Sequence, residues 1–448
     1  MSELDCPKFA EETKKIEAAV GGRYEDLFVT DEESISKIKD EIKGLVDVSE
    51  DAIDCFIYEK LSLGKLTPFL MDGNLEEIMV IGGGLPVYLY DKTTGMTESG
   101  VSLEIGEIKE MIRKIARYSG RVVDGSNPLL DGRLPDGSRA NATFSEVTPR
   151  GPTLTIRKFE QESLTISDLI RYETMTPTLA AFLWLVVEGL GTKPANVLIL
   201  GGTASGKTTT LNALSYFVPS GDRIISIEDT LEISIRHEHW IPMETRPPDP
   251  GKDNEVVMDD LLKNALRMRP DRIIVGEVRA KEALTLFTAM NTGHDGCMAT
   301  IHANSAREAL TRLQTHPMNV PDVMIPALDL IIAQTKHVEE GKLVRRIVEV
   351  AEIGGKEGGT ILTNTLFKFD PKKKQLRVNL LNGRIIQELS KLTNLTVKEI
   401  DAELDKREAI LETLAKNRTD KNTLHEVINL YYKNPEDAVE LLYEKVKD

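Results

Sequence analysis

The sequence predicts an α/β fold with a mostly parallel sheet, preceded by a smaller α+β domain and carrying helical arms at both ends. Three observations predict it. Residues 201–208 read GGTASGKT, a complete G-x-x-x-x-G-K-[ST] phosphate-binding loop. The apolar run Val197-Leu198-Ile199-Leu200 before it suits a buried strand, and TTTLNALSYF after it suits a helix. The further buried-type runs RIISIED and DRIIVGE alternate with the helix-compatible stretches DLLKNALRM and KEALTLFTAM. That alternation builds parallel sheets covered by helices.

Residues 1–62 are charged and helix-biased, with Ile35, Ile38, Ile42 and Leu45 at spacings of three and four, so a helical arm is expected. Residues 66–159 carry short β-like runs (EEIMVIG, VYLYD, LTIRKF) around the helical stretch EIKEMIRKIARYSG. Asp-Gly turns are expected between them at 124–125, 131–132 and 136–137. This reads as an α+β domain. Residues 160–176, around EQESLTISDLI, are the expected linker. Residues 177–380 hold the nucleotide-binding domain with two appended short strands after 361, and 385–448 read as a tail of three or four helices. The apolar run AAFLWLVV stops at Glu188 and suits a buried helix better than a membrane span.

Composition narrows the function. With 448 residues, two or three domains are expected. The net charge of −16 repels nucleic-acid phosphates and anionic lipids on average. Cys6, Cys55 and Cys297 form no C-x-x-C pair, which argues against a disulfide framework and for a reducing, cytoplasmic compartment. The acidic N-terminus lacks the order of a secretory signal.

The loop supplies most of the chemistry. Main-chain N–H groups of Gly201, Gly202, Thr203, Ala204, Ser205 and Gly206 can surround phosphates, Lys207 can reach the β and γ oxygens, and Thr208, followed by Thr209, can ligate Mg2+. Ile224 to Asp229 ends a buried strand in two carboxylates, where ligands meet the strand ends of open α/β sheets. Glu228 is the first choice for the base that activates water. Asp229 and Glu232 are second choices, for metal-water and loop-holding roles. A second strand, Arg272 to Val275, ends in Gly276-Glu277 where an Asp is usual, so Glu277 must do the metal-water work alone or with the carboxylates after Ile227. His294 and His302 flank a short strand. An uncharged imidazole bonded to phosphate or to a carboxylate suits them better than metal ligation. Arg133, Arg139, Arg157, Arg246, Arg267, Arg269 and Arg272 are all candidates for a guanidinium that reaches the transition state.

GGTASGKTTTLNAL, IEDTLE, RMRPDRIIVGEVR and AMNTGHDGCMATIHANS, in this order, resemble the phosphate loop, aspartate box, modified acidic strand and histidine box of the type II/type IV secretion ATPases. HEHWIPMETRPP, HPMNVPDVMIPALDLIIAQ and the charged tail look most like the archaeal branch that powers archaella and archaeal type IV pili. The resemblance implies an α+β (PAS-like) N-terminal domain linked to a RecA-like domain, in a homohexameric ring with ATP and Mg2+ between subunits. It assigns Lys207 and Thr208 to phosphate and metal, Glu228 to water activation, Glu277 to the metal-water shell and His302 to sensing nucleotide. It brings Arg133, Arg139 and Arg157 to the nucleotide from the N-terminal domain. It makes Gly276 normal for the family. The partners it implies are a polytopic platform protein at the cytoplasmic face of the membrane and, through it, pilin-like subunits. Protein secretion by the same machinery is the alternative. A RecA-like nucleic-acid motor is a remote rival that the acidic charge disfavours, and the pair Glu228 and Glu277 disfavours a non-hydrolysing scaffold. The tetracysteine zinc module of many type II secretion members is absent from the sequence.

Overall fold

The computed structural model describes residues 6–159, 164–248, 253–339, 342–358, 360–373, 375–380 and 383–447. The chain divides into two compact units, Met1–Glu160 and Gln161–Asp448.

The first unit opens with helices Ala10–Val20, Glu32–Leu45 and Glu50–Phe56. The side chains of Asp31 and Ser49 accept from the N–H groups of Ser34 and Ala52, which start the second and third of these helices. Ile35, Ile38 and Ile42 are buried together with Ile16, Ile53 and Phe56. Leu45, grouped with them by spacing, is 44% exposed at the last position of its helix. Cys6 and Cys55 are joined by a disulfide, their Cα atoms 5.4 Å apart. The expectation against a disulfide is thereby corrected: helix packing, not sequence spacing, sets which cysteines meet, and the argument from cysteines for a reducing compartment falls with it. Cys297 is free and buried, and burial pushes its thiol up to about 12.

A sheet of six strands among the described residues follows: β1 (Leu75–Val80), β2 (Pro86–Asp91), β3 (Gly95–Ser102), β4 (Leu129–Arg133), β5 (Arg139–Thr143) and β6 (Thr153–Arg157). Their spatial order is β3-β2-β1-β6-β5-β4. One face, with Ile78, Leu130, Ala140, Ala142, Leu154 and Ile156, shares a core with Ile108, Ile112 and Ile115 of helix Ile105–Tyr118. Asp131-Gly132 is not a turn but the middle of β4, paired with Asn141 and Ala140. A β-carbon at Gly132 would stand 2.8 Å from the Ser119 Oγ, so the glycine serves close approach of strand and helix end.

In the second unit the strands are β7 (Val197–Leu200), β8 (Ile224–Glu228), β9 (Trp240–Glu244), β10 (Arg272–Val275), β11 (Met298–Ile301), β12 (Leu330–Glu339), β13 (Lys342–Glu357), β14 (Thr360–Asp370) and β15 (Gln375–Val378). Within the described residues they form one sheet in the order β15-β14-β13-β12-β7-β11-β10-β8-β9. Pairing is parallel from β12 to β9 and antiparallel from β12 to β15. The antiparallel extension is longer than the short strands read from sequence after 361, because β12 and β13 already form a hairpin before it. β7, β8, β10 and β11 are buried at every position, which explains their near-continuous apolar sequence.

Helix Pro177–Glu188 is buried from Leu179 to Val187 and packs in the same core as helices Val397–Lys416 and Lys421–Lys433 of the tail. Among the described residues the tail holds four helices, Arg384–Thr393, Val397–Lys416, Lys421–Lys433 and Pro435–Lys447. Of the stretch 160–176, residues 160–163 lie outside the described residues. Ile166–Arg171 forms a helix whose N-cap Thr165 and Asp168 bond reciprocally.

Candidate nucleotide site

Parallel strands deliver their following loops to one edge of a sheet, and here neighbouring strands β7, β11, β10 and β8 do so side by side. β7 leads into the phosphate loop, β11 into His302, β10 into Gly276-Glu277, and β8 ends on Glu228. Residues far apart in sequence thus meet at one edge because each ends or follows a strand of the same polarity.

The loop's shape is that of an anion cradle. Ala204 and Gly206 have positive φ, 56° and 92°, which turns successive N–H groups toward one side. Helix Lys207–Ser215 starts at once from Gly206, so its N-terminal, electropositive end faces the loop. A β-carbon at Gly201 would lie 2.4 Å from the Gln334 carbonyl oxygen, and one at Gly206 would lie 2.9 Å from Gln334 Nε2. Ser205 is buried, and among the described residues its Oγ has no hydrogen-bond partner. The Lys207 ammonium donates to the carbonyls of Gly201 and Gly202, both at 3.1 Å. An unused buried hydroxyl, a cradle that a β-carbon would fill and a lysine folded over the loop fit a polyphosphate. Thr203 and Ala204 are exposed at the tip, while Thr208 and Thr209 are half-buried in the first helical turn.

Glu228 is buried at the end of β8. Its Oε1 accepts the N–H groups of Glu232 and Ile233, both at 3.0 Å, and among the described residues its Oε2 accepts none. Burial raises its carboxyl to about 7, against the pull of those two N–H groups. Glu277 is linked on both sides: Oε1 lies 3.2 Å from His302 Nε2, and Oε2 accepts from the Arg279 guanidinium at 2.8 Å. The same guanidinium donates to Asp229 at 3.2 Å. His302 Nε2 also lies 3.4 Å from Lys207 Nζ, so one ring nitrogen stands between the loop lysine and an acidic strand tip. Burial and the nearby Lys207 charge lower the imidazole pKa, which keeps it neutral near pH 7.

Not every sequence candidate gathers here. His294 precedes β11 and so lies at the opposite end of the strand from His302, which separates the pair that sequence reading considered together. Arg272 begins β10, buried and ion-paired with Asp222 while donating to the Val187 carbonyl. Arg267 and Arg269 precede it at that same far end of the strand. Arg246 donates to the Asn254 carbonyl beyond β9.

Arg133, Arg139 and Arg157 belong to the first unit. Register pairs Arg133 with Arg139, Arg139 with Arg157, and Arg157 with Glu77, so they form one row across β4, β5, β6 and β1. The row lies on the sheet face opposite the core. Arg139 and Arg157 there help line a polar hollow with Asp131, Asn141 and Thr155, and Arg139 lies 3.9 Å from Asp131.

Sequence reading missed Gln334, Arg345 and Arg279. Gln334 is buried in the otherwise apolar run LIIAQ, and its Oε1 accepts from Thr210 Oγ1 at 2.6 Å, bracing the helix after the loop. A polar residue inside a buried strand was the available signal. Arg345 on β13 donates to the Ala204 carbonyl at 3.1 Å, a contact across the sheet with no local signature.

A parallel sheet with this loop and these acidic strand tips defines the class: a phosphate-loop nucleotide-binding protein. A family model described as type II/IV secretion system protein matches residues 102–434, and the chain belongs to that family. An uncharacterised protein of Methanocaldococcus jannaschii is 53% identical over 252 residues, which is 56% of this chain and 35% of that relative's length. A probable conjugal transfer protein TrbB of Sinorhizobium fredii is 33% identical over 296 residues, 64% of this chain and 86% of that one. The X-ray structure of the Yersinia pseudotuberculosis ATPase DotB aligns over 82% of this chain and 92% of its own, at 18% identity and a TM-score of 0.47.

Proposed function

We propose that this chain is an ATP-hydrolysing motor subunit of its family, working as a homohexamer that drives a polytopic membrane protein to assemble or move a pilin-like filament. The observation that carries the hydrolytic reading is the convergence of Lys207, His302, Glu277 and Glu228 at neighbouring strand ends. Lys207 would release the loop carbonyls and bind the β and γ phosphate oxygens. Glu228, poised by burial near neutral pH, would orient the attacking water and accept its proton. Thr208, with Glu277 and Asp229 acting through water, would hold Mg2+, which when bound supplies charge neutralisation at the transferring phosphoryl group. Arg133, Arg139 and Arg157 would add guanidinium groups to a bound nucleotide. His302, neutral between Lys207 and Glu277, would report whether the lysine is engaged.

Movement of rigid parts on closure around ATP would supply the work. No helix among the described residues is long and apolar enough to cross a membrane. The proposed action at the cytoplasmic face runs through a membrane partner. The same motor could drive secretion or conjugation, a reading favoured by the conjugal transfer protein among the relatives. Phosphate release by the purified chain with Mg2+ and ATP tests the activity. Turnover is expected in the wild type and none in Lys207→Ala, and equal turnover in both would refute the site. Recovery of a pilin-like subunit with the chain from solubilised membranes would support the filament reading. Recovery of secretion or conjugation components alone would replace it.

A further inference from the structure

Arg279 sits where a cation is needed and has no part in the chemistry above. Its two terminal nitrogens divide between Asp229, from the end of β8, and Glu277, from the end of β10. Two carboxylates on adjacent strand ends repel each other, and the guanidinium between them offsets that. The main chain beneath is fixed: the N–H groups of Arg279 and Ala280 both donate to Oε1 of Glu282, whose side chain is buried. The Arg279 side chain itself is 61% exposed. The backbone is therefore clamped while the guanidinium has open solvent to swing into.

Among the described residues there is no group of three or more His, Cys, Asp or Glu able to hold a metal ion. A magnesium ion here depends on phosphate oxygens, Thr208 and water, with one or two carboxylates behind them, as is usual for this ion. Those carboxylates are the two that Arg279 holds.

We propose that Arg279 is a positioning residue: a removable counter-ion that keeps Asp229 and Glu277 together in the nucleotide-free protein and yields them to magnesium when nucleotide binds. This rests on the nucleotide reading above. The arrangement has two consequences. The carboxylates are preorganised before the metal arrives, and metal binding without nucleotide is opposed, because the ion must displace a bound positive charge without the help of phosphate.

The test uses the full chain and three probes. Mn2+ binding to the nucleotide-free protein is read by electron paramagnetic resonance, nucleotide binding by a fluorescent ATP analogue at increasing Mg2+, and folding by thermal melting. Arg279→Gln removes the charge and keeps a hydrogen-bonding amide. Arg279→Lys keeps the charge but reaches one carboxylate at a time, and serves should the glutamine variant fold poorly. Removing one positive charge next to a divalent site should tighten Mn2+ binding without nucleotide by on the order of fivefold to tenfold, and lower the half-saturating Mg2+ for the analogue by a similar factor. Arg279→Lys should fall between that and wild type. Unchanged or weaker Mn2+ binding in a folded Arg279→Gln, or an unchanged Mg2+ midpoint with intact analogue binding, overturns the proposal and leaves Arg279 a structural tie. If the wild type binds no analogue at any Mg2+ concentration, it is the nucleotide reading that fails, and the Mn2+ measurement still decides whether Arg279 guards the carboxylates.

Discussion

Gly276 and Glu228 share one space: a β-carbon at position 276 would stand 2.8 Å from the Glu228 Cγ and 3.2 Å from its Oε1. Phosphate-loop enzymes usually carry an Asp at this strand end. Here that position is glycine, and the Glu228 side chain from the neighbouring strand β8 fills the volume that a side chain on β10 would take.

Gly276→Ala should therefore act on Glu228. Its backbone anchors at Glu232 and Ile233 leave the glutamate little room to retreat. Displacement of a reacting group by about 1 Å costs on the order of a hundredfold in rate. ATP turnover should fall by that much while nucleotide affinity stays within about threefold. Equal turnover in the two proteins would show that Glu228 does not need its present position.

The raised carboxyl of Glu228 predicts two pH effects. In its proposed role as base Glu228 must be ionised, so kcat/KM for ATP should climb between pH 6 and 8 with a limb near 7, absent in the residual activity of Glu228→Gln. Stability runs the other way. A group raised from 4.5 to about 7 on folding contributes stability that is present below 4.5 and lost as pH rises through 7. That difference corresponds to about 3 kcal/mol as an upper figure, at roughly 1.4 kcal/mol per unit. Urea melts should show Glu228→Gln gaining on the wild type by up to that amount from pH 5 to pH 8. Parallel pH curves would contradict the buried, protonatable state.

His302 Nε2 stands between Glu277 Oε1 and Lys207 Nζ, at 3.2 and 3.4 Å. A neutral ring nitrogen either donates to the first or accepts from the second, not both. His302→Ala should lower kcat by about tenfold to a hundredfold with KM for ATP changed less than about threefold, in the range of lost acid–base or positioning groups. His302→Gln, which keeps a polar end group, should recover part of it. Lost affinity with unchanged kcat would mean that the imidazole only supports the loop.

Arg407 is 3% exposed, bonded to Glu188 and Glu403 and stacked near Trp184 at 5.0 Å and Tyr431 at 5.5 Å. It ties the tail to the buried helix Pro177–Glu188. Removing one member of such a buried cluster typically costs about 3–5 kcal/mol, because the remaining charges lose their partner. Arg407→Ala should lower the melting temperature of the second unit clearly, and Arg407→Lys, a single point charge, should restore only part. Unchanged melting would show that the tail is held by its apolar contacts alone.

Much of the second unit is legible in the sequence alone. The phosphate loop is a local motif, and the strands before it and after it are continuous apolar runs because they are buried on both faces. Glu228 and Glu277 could be named because they end such runs. The first unit was less legible. Asp131-Gly132 carries turn chemistry in sequence, yet lies within β4 because Gly132 answers a helix end on the far side of the sheet. The long β12–β13 hairpin was hidden behind mixed polar and apolar residues on a half-exposed extension.

The sequence by itself determined that a phosphate loop follows a buried strand, that acidic residues end two other strands, and that an imidazole follows a third. Short-range periodicity and backbone chemistry are enough for that. Only the tertiary structure decided which of these groups meet. Strand order puts β7, β11, β10 and β8 side by side, and parallel polarity brings their ends to one edge, separating His302 from His294. It also decided that Cys6 bonds Cys55 and that Arg279 bridges Asp229 and Glu277. Such pairings depend on packing between segments distant in sequence, which no local pattern encodes.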